Sequence, residues 1–378
     1  MTPTSLYIHL PFCASKCSYC DFNSIVAPET VRQDYLKALT REVQRTGSFY
    51  HERLFTTIYL GGGTPTLYPA EQLCQLLTAV RRHYTLAPGA EITIEANPGT
   101  VSAESLTVLR ELGCNRLSLG VQSLNDSELR LLGRRHDAAQ AREAFATARA
   151  AGFDNLSVDL INCLPGQTVA GWLSTLTAVL QWQPEHLSCY GLAIEEGTPL
   201  ARHRDLGNLP LLDDSVAAAI YEATHGTLLE AGYEHYEISN YCRRERRCRH
   251  NENYWRNGDY VGLGAGAASF LNGFRLKSEP DPSQWLQRVL AGLPPALVQK
   301  EALDDRRRAL EVLMLALRTS DGLDLPAFCQ QFGLDMRRYD MRLKALAEAG
   351  LVDWDGRHLA LTPVQGFLLH SEIVQMLM

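Results

Sequence analysis

The chain has 378 residues, a formal net charge of −7 and a sequence pI of about 5.9. That acidic balance removes the general electrostatic case for a nucleic-acid-binding protein, and no apolar run approaches the roughly 20 residues of a membrane-spanning helix. The N-terminus lacks the basic and apolar regions of a secretion signal, so the ten cysteines indicate reduced thiols. We therefore expect a cytoplasmic protein with at most peripheral membrane association.

The first predicted strand, residues 5–10, leads directly into Cys13, Cys17 and Cys20. The CxxxCxxC spacing leaves no room for a helix or strand, so all three thiolates point inward from one loop. Three cysteine ligands leave one iron of an iron–sulfur cluster open to a small molecule. Zinc, with His9 as a fourth ligand, is the alternative, and a disulfide within the loop is the weaker one.

Short β-branched runs then alternate with amphipathic helical patterns as far as about residue 240. Strands are predicted at 5–10, 56–60, 91–95, 116–120, 156–161 and 186–191. Helices are predicted at 31–44, 70–83, 103–112, 138–151 and 168–182. This alternation predicts an α/β fold with a parallel sheet. Six units favour a partial (β/α)6 barrel, because an eight-unit barrel normally needs about 250 residues.

Polar and glycine-rich peptides follow the predicted strands at their carboxyl ends. GGGTPT (61–66) follows the second strand, Glu95 ends the third and Gln122 follows the fourth. Asp159 lies in the fifth strand, and Ala193 follows the sixth. Active sites of barrels are built at these strand ends. We therefore expect these peptides to surround one mouth, together with the cysteine loop after the first strand.

Several of these residues could bind a small molecule. The glycines at 61–63 permit close backbone approach, and their N–H groups could cradle a carboxylate or an amine-bearing ligand. Glu95 and Asp159 could bind hydroxyl or amino groups, and Arg134 could pair with a carboxylate. The alternatives are a tight turn for the glycines, capping or ion pairs for the carboxylates, and a solvated position for Arg134.

Residues 241–301 are interpreted as a segment that closes the barrel. Five arginines and one glutamate occupy 243–249, immediately before His250. This run is either a solvated loop or an anion site that suits porphyrin propionates. His250 could ligate haem iron, and Tyr254 and Trp255 offer flat apolar surface for a macrocycle or for core packing.

Residues 302–378 are predicted to form a separate helical module after the barrel of residues 1–240. Helices at 304–318, 325–332 and 336–349 precede a hairpin at 351–361 and a last helix from 363. This order is similar to a winged helix. The module has 9 basic and 12 acidic residues between 301 and 378, a net charge of −3, so packing onto the barrel is favoured over DNA binding.

Taken together, these motifs resemble those of radical S-adenosylmethionine proteins, in the branch of oxygen-independent coproporphyrinogen III oxidase and its haem-chaperone relatives. The resemblance covers nearly the whole chain, through YIHLPFC with CxxxCxxC, GGGTPT, EANPGT, GVQS, LGRRH and LPGQT. It implies that Cys13, Cys17 and Cys20 hold a [4Fe–4S] cluster whose fourth iron binds S-adenosylmethionine. The positions that match the family's contacts to this cofactor are Tyr7, Gly62, Gly63, Thr64, Glu95, Gln122, Arg134, Asp159 and Ala193.

Two features favour the chaperone side of this branch. Phe22 stands where the oxidase carries an extra cysteine, and His250, Tyr254 and Trp255 match the chaperone's HNxxYW motif. The resemblance thus implies that haem is bound and passed to an acceptor, a membrane-associated respiratory haem protein. The first alternative is an enzyme that decarboxylates coproporphyrinogen III. The second alternative is an enzyme that carries out radical chemistry on an unrelated substrate. Ala268 departs from the branch, which often has a histidine there.

Overall fold

The structure is a computed structural model that describes residues 1–377, apart from the side chains of Met336 and Arg338. Its strands form two sheets, one of twelve strands and one of three. The larger sheet carries the predicted barrel, and the smaller one belongs to the C-terminal module.

Six parallel strands pair in the order in which the chain makes them, as the sequence predicted. They are β1 (Thr2–Leu10), β2 (Arg53–Gly62), β3 (Leu86–Ala96), β4 (Arg116–Gln122), β5 (Leu156–Asn162) and β6 (His186–Gly191). The helices are α1 (Glu29–Thr46), α2 (Ala70–His83), α3 (Ala103–Glu111), α4 (Asp126–Leu131), α5 (Ala138–Ala150), α6 (Val169–Leu180), α7 (Pro199–Asp205) and α8 (Asp214–Glu230). The α/β fold and its six parallel units are therefore confirmed.

The sheet extends beyond these six strands on both sides. The added elements are β7 (Glu234–Glu237), β8 (Asn240–Cys242), α9 (Arg249–Trp255), β9 (Tyr260–Leu263), β10 (Ala268–Leu271), β11 (Phe274–Ser278), α10 (Pro282–Leu290) and β12 (Leu297–Ala302). β9 pairs in parallel with β1, and periodicity alone did not predict it. Antiparallel strands then continue to β12 at one edge, while β8 and β7 follow β6 at the other. The sheet is thus an open, partial barrel.

The core explains why the strand ends meet at one place. Ile8, Leu60, Ile94, Leu119 and Leu160 are each no more than 1% exposed, and they share one apolar cluster. Strands of a parallel sheet are covered by helices on one face and by inward side chains on the other, so continuous apolar runs are expected. Full burial of each such side chain contributes about 1.5–3 kcal/mol. Their packing fixes the register that brings the polar strand ends together.

The C-terminal module has its own apolar cluster, which includes Leu313, Leu343 and Leu359. Its elements are α11 (Asp305–Ala316), β13 (Leu323–Asp324), α12 (Leu325–Phe332), α13 (Asp340–Glu348), β14 (Val352–Trp354), β15 (His358–Leu361), α14 (Gln365–Leu368) and α15 (His370–Leu377). Three helices precede the β14–β15 hairpin, as in the predicted winged-helix-like order. The division of the chain at residues 240 and 301 stays a prediction.

The module packs against the barrel through a buried ion pair. Arg318 lies 3.3 Å from the Glu237 carboxylate, whose side chain is fully buried. The N–H of Ser320 donates to the carbonyl of Tyr236 at 3.0 Å.

No helix in the described part of the chain combines the length and apolar character needed to cross a bilayer.

Candidate functional site

The cysteine loop is held at its base and at its tip by backbone hydrogen bonds. The N–H of Ile25 donates to the carbonyl of Pro11 at 2.8 Å, and the N–H of Cys13 donates back to Ile25 at 3.0 Å. At the tip, the N–H of Ser18 donates to the carbonyl of Leu132 at 3.1 Å. The three cysteines are half-buried and free, so the structure has no disulfide in this loop. The loop is therefore a fixed platform that presents thiols.

Two donors lie against these thiols. The Thr64 hydroxyl is 3.7 Å from Cys13 Sγ, and the Arg134 guanidinium is 3.4 Å from Cys17 Sγ. Burial raises the pKa of Cys13 and Cys20 above its ordinary value. Buried thiols become thiolates when a positive partner such as a metal centre is bound. The three thiols therefore suit a metal cluster, because its positively charged irons would stabilise them as thiolates.

His9 is not available as a fourth ligand for zinc. Its Nε2 lies 2.9 Å from the carbonyl of Asn23, and its Nδ1 lies 2.9 Å from the Tyr7 hydroxyl. Within residues 1–377, no three His, Cys, Asp or Glu side chains converge on a position for one metal ion. An iron–sulfur cluster does not require such convergence, because each cysteine binds a different iron. The residues fit a three-cysteine cluster better than zinc.

A cavity of about 390 Å³ opens beside the cysteine loop. All three cysteines line it, as do eight of the nine predicted cofactor positions: Gly62, Gly63, Thr64, Glu95, Gln122, Arg134, Asp159 and Ala193. We call it the main cavity. The ninth position, Tyr7, lines a second cavity of about 350 Å³. The structure thus brings the predicted residues together, while their contact with S-adenosylmethionine remains a prediction.

The second cavity adjoins the main one. Phe22, Gly62 and Glu95 line both, and Phe22 is 65% exposed. Tyr254 and Ala268 lie in the wall of the second cavity. Phe22, which favours the chaperone side of the branch, and Ala268, which departs from the branch, therefore line the same cavity.

The glycine turn is required by close packing. Gly62 has φ of +116°, and a Cβ on it would lie 2.5 Å from the His9 ring. A Cβ on Gly63 would lie 2.6 Å from the carbonyl oxygen of Phe12 in the cysteine loop. The N–H groups of both glycines are already used, one by the Glu95 carboxylate at 3.1 Å and one by a carbonyl of β1 at 2.8 Å. These contacts favour the alternative of a tight turn, and ligand binding by the glycines stays a prediction.

Two carboxylates of the main cavity are held by hydroxyl groups. Tyr59 donates to Glu95 at 2.9 Å, while Ser118 and Ser188 donate to Asp159 at 2.9 and 2.8 Å. Burial raises the pKa of Glu95 to about 7 and also raises that of Asp159. Neither carboxylate has an ion pair with a described residue, so both can attract a cationic ligand. The three hydroxyl residues were not predicted, and only their place on inward-facing strand positions marks them.

Arg134 connects three strand ends to the cysteine loop. It donates to the carbonyl of Gly120 at 2.8 Å, to the Asn97 side chain and to Cys17. Asn97 in turn donates to the Thr64 hydroxyl at 2.8 Å. Arg134 is therefore not a solvated arginine. Asn97 was missed as a site residue, although it lies inside the EANPGT motif.

The structure does not bring the three haem candidates together. His250 is 1% exposed, with Nδ1 at 2.8 Å from the Thr57 hydroxyl and Nε2 at 2.8 Å from the Tyr254 hydroxyl. Trp255 lies on another side, with the Arg318 guanidinium 4.5 Å from its ring centre. Ligation of haem by His250 requires one of its two hydrogen bonds to break, so this geometry speaks against it.

The arginine run before His250 is partly structural. Arg247 forms ion pairs with Glu252 at 3.5 Å and with Asp321 of the C-terminal module at 2.8 Å. The Arg243 guanidinium lies 4.8 Å from the ring centre of Tyr233. The interpretation of the run as an anion site therefore does not extend to Arg247, which holds the module against the barrel.

Comparison with known protein families identifies both parts of the chain. Residues 7–179 match the Radical SAM superfamily, and residues 303–369 match the HemN C-terminal domain. Among solved structures, coproporphyrinogen III oxidase (HemN) from Escherichia coli, described as a radical SAM enzyme, is similar with a TM-score of 0.86 and 28% identity. That similarity covers 100% of this chain and 90% of the oxidase.

Relatives named Heme chaperone HemW are more similar in sequence. The protein from Synechocystis is 38% identical over 85% of this chain and 80% of its own length. The protein from Mycobacterium tuberculosis H37Rv is 36% identical over 100% of this chain and 95% of its own length. The Escherichia coli protein is 40% identical over 71% of this chain and 70% of its own length. The chain therefore belongs to the radical SAM superfamily and, within it, to the family of the Heme chaperone HemW proteins.

Proposed function

We propose that this chain is a haem chaperone that holds a [4Fe–4S] cluster and S-adenosylmethionine, binds haem and passes it to an acceptor haem protein. The observation that carries the proposal is the pair of adjoining cavities at the cysteine loop, with exposed Phe22 rather than a further thiol on their shared wall. The names of the relatives support the same function.

In this proposal Cys13, Cys17 and Cys20 hold the cluster. The bound cluster supplies an electron that cleaves S-adenosylmethionine in radical SAM proteins. The protein contributes orientation: Thr64 and Arg134 donate to two of the sulfur atoms and keep them facing the cavity. Such donors stabilise the charge of a thiolate.

The carboxylates of the main cavity would bind the cationic end of S-adenosylmethionine. Glu95 and Asp159 are oriented by hydroxyl donors and are not neutralised by ion pairs. Either can therefore accept from an ammonium group or a ribose hydroxyl. The cavity volume of about 390 Å³ lies in the range of small-molecule sites.

Haem would lie against the second cavity. Tyr7, Tyr254 and Tyr260 give this cavity aromatic walls, and Phe22 supplies exposed apolar surface beside it. Flat rings of this kind suit the face of a macrocycle. The acceptor in this proposal is a membrane-associated respiratory haem protein, and nucleic acid is not a partner.

A second candidate function is the oxidative decarboxylation of coproporphyrinogen III. The structural similarity to coproporphyrinogen III oxidase over the whole chain favours it. Phe22 and the higher sequence identity to the chaperone relatives oppose it.

The two functions are separated by one experiment under anaerobic conditions. Cluster-loaded protein is titrated with haem and followed by absorbance, and parallel samples with S-adenosylmethionine receive coproporphyrinogen III for product analysis. We expect saturable binding of one haem per chain and no decarboxylation. Decarboxylation that depends on S-adenosylmethionine, without stable haem binding, would replace the chaperone proposal with the oxidase.

A further inference from the structure

Arg116 is a buried cation without a hydrogen-bonding partner. It begins β4 and is only 2% exposed. Its Nε is fully buried, and none of the described residues accepts a hydrogen bond from its side chain or forms an ion pair with it. A guanidinium carries five donors, and a buried charge that lacks such bonds is destabilising. The acceptors for the Arg116 side chain must therefore come from a bound molecule rather than from the described residues of the chain.

Arg116 lies in the wall of the main cavity, together with two other cations, and it differs from both. Lys16 donates to the carbonyls of Phe22 and Ser24 at 3.3 and 3.2 Å. Arg134 donates to Cys17 in the cysteine loop and to the carbonyl of Gly120 in β4. Lys16 and Arg134 therefore stabilise the cysteine loop at the mouth of the cavity through hydrogen bonds, whereas the Arg116 side chain makes no such bond to the described residues.

The nearby carboxylates compensate the charge of Arg116 but do not accept its hydrogen bonds. Glu91 accepts from the N–H groups of Arg249 and His250 at 3.2 and 3.0 Å. Glu95 and Asp159 accept from the hydroxyl groups of the cavity wall. Burial raises the pKa of both these carboxyls, and the charge of Arg116 offsets part of that rise through space. The charge of Arg116 is therefore balanced by nearby carboxylates, but the hydrogen-bond donors of its side chain still lack acceptors.

We propose that Arg116 donates to a carboxylate of the ligand that occupies the main cavity. A planar carboxylate matches the fork of a guanidinium, and the pair gains both charge and two parallel hydrogen bonds. This inference rests on the proposed function, which supplies two sources of that group: the carboxylate of S-adenosylmethionine, and a propionate of haem that reaches from the second cavity into the adjoining main cavity. A water molecule alone would satisfy fewer of the five guanidinium donors.

The test compares ligand pairs that differ only in the carboxylate. Haem is compared with its dimethyl ester, and S-adenosylmethionine is compared with its decarboxylated form. The affinities are measured for the cluster-loaded wild-type chain, for Arg116→Gln and for Arg53→Gln. Arg53 is the matched control, because its side chain is 12% exposed and pairs with Asp259 outside both cavities.

We expect one acid form to lose at least about tenfold in affinity in Arg116→Gln, while its carboxylate-free partner changes less than about twofold. In Arg53→Gln the preference for the acid form is kept. The pair that responds identifies which ligand carries the carboxylate. Equal losses for the acid and its partner in both pairs, or no loss in either, would overturn the inference.

Two further measurements keep the inference testable if Arg116→Gln does not fold. Arg116→Lys keeps the charge but loses the planar fork, so we expect the preference to fall by about threefold or more. Wild-type protein that binds both members of both pairs equally would also overturn the inference. Failure of the wild type to bind haem at all would instead refute the proposed function, while the S-adenosylmethionine pair still tests Arg116.

Discussion

The mouth of the barrel and helix α9 each carry a group of predicted site residues, and the structure arranges the two groups differently. The mouth gathers residues from positions 13 to 193 around one cavity. Helix α9 holds His250, Tyr254 and Trp255 within six residues, yet it places them in three surroundings: a buried hydrogen-bond pair, the second cavity and the contact with the C-terminal module.

The difference follows from geometry. In a parallel sheet all strands end at the same edge, so a polar residue after each strand is near the others whatever its distance along the chain. On a helix, neighbouring residues point in different directions, and only those three or four apart share a face. His250 and Tyr254 are four apart and do meet, whereas Trp255 turns away. Position at a strand end therefore predicted which residues share a site better than closeness in sequence did.

The largest effect is expected at the mouth, from Cys17→Ser. Loss of one of three thiolate ligands should abolish the cluster, because only two cysteine ligands of the loop would remain. Iron and sulfide analysis of anaerobically reconstituted protein measures this. Cys74→Ser on α2 is the control and should retain full iron content. A Cys17→Ser protein with full iron and sulfide would break the assignment of the mouth as the cluster site.

Gly63→Ala should destabilise the protein by about 1–3 kcal/mol through overpacking. The added Cβ would lie 2.6 Å from the backbone of Phe12, and backbone can move only with the cysteine loop. Chemical unfolding gives the free energy of unfolding. Gly99→Ala, where a Cβ meets nothing within 4 Å, is the matched control. Equal stability of the two variants would show that the turn does not hold the loop.

His250→Ala sharpens the account of helix α9. It removes a buried ring that bonds Thr57 and Tyr254, and we expect a loss of about 1–3 kcal/mol in the free energy of unfolding. Because both ring nitrogens are engaged, we expect the Soret band of bound haem to stay where it is. His51→Ala, at an exposed histidine, is the control. A shifted Soret band would restore His250 as a haem ligand.

The smallest expected effect is a pH dependence at Glu95. Burial raises its pKa to about 7 from the ordinary 4.5, so the side chain is neutral below that pH and charged above it. The affinity for S-adenosylmethionine, whose sulfonium is a cation, should therefore rise by up to about tenfold as pH rises through 7.

The stability of the cofactor-free chain should change in the opposite direction. Between pH 4.5 and about 7 the native carboxyl of Glu95 holds a proton that the unfolded one has lost, so its contribution to the free energy of unfolding falls as pH rises. Glu95→Gln should flatten both curves. An affinity that keeps its full pH dependence in this variant would assign the titration to another group.

Much of the barrel was predictable from sequence. The six parallel strands show as short β-branched runs, and the carboxyl ends of those strands place Glu95, Asp159 and Ala193 beside the cysteine loop. Motif resemblance added Tyr7, which lines the adjoining cavity, and it identified the branch of the family.

The remainder depends on contacts that no local pattern encodes. β9 is only four residues long, and its parallel pairing with β1 spans most of the chain. Asn97 and Arg116 acquire their places from partners on other strands, and Arg116 is marked by the absence of a hydrogen-bonding partner among the described residues. The hydrogen bonds of His250 and His9 likewise come from tertiary packing, so their availability as ligands was not predictable.

The proposed function is delivery of haem to an acceptor, which differs from simple release of haem into solution. Haem-loaded protein is mixed with increasing concentrations of the apo form of a respiratory haem protein, and transfer is followed by absorbance. Apomyoglobin in excess measures the rate of simple haem dissociation. A chaperone predicts a transfer rate that rises with acceptor concentration and exceeds the dissociation rate. A rate equal to dissociation at every acceptor concentration would contradict the account.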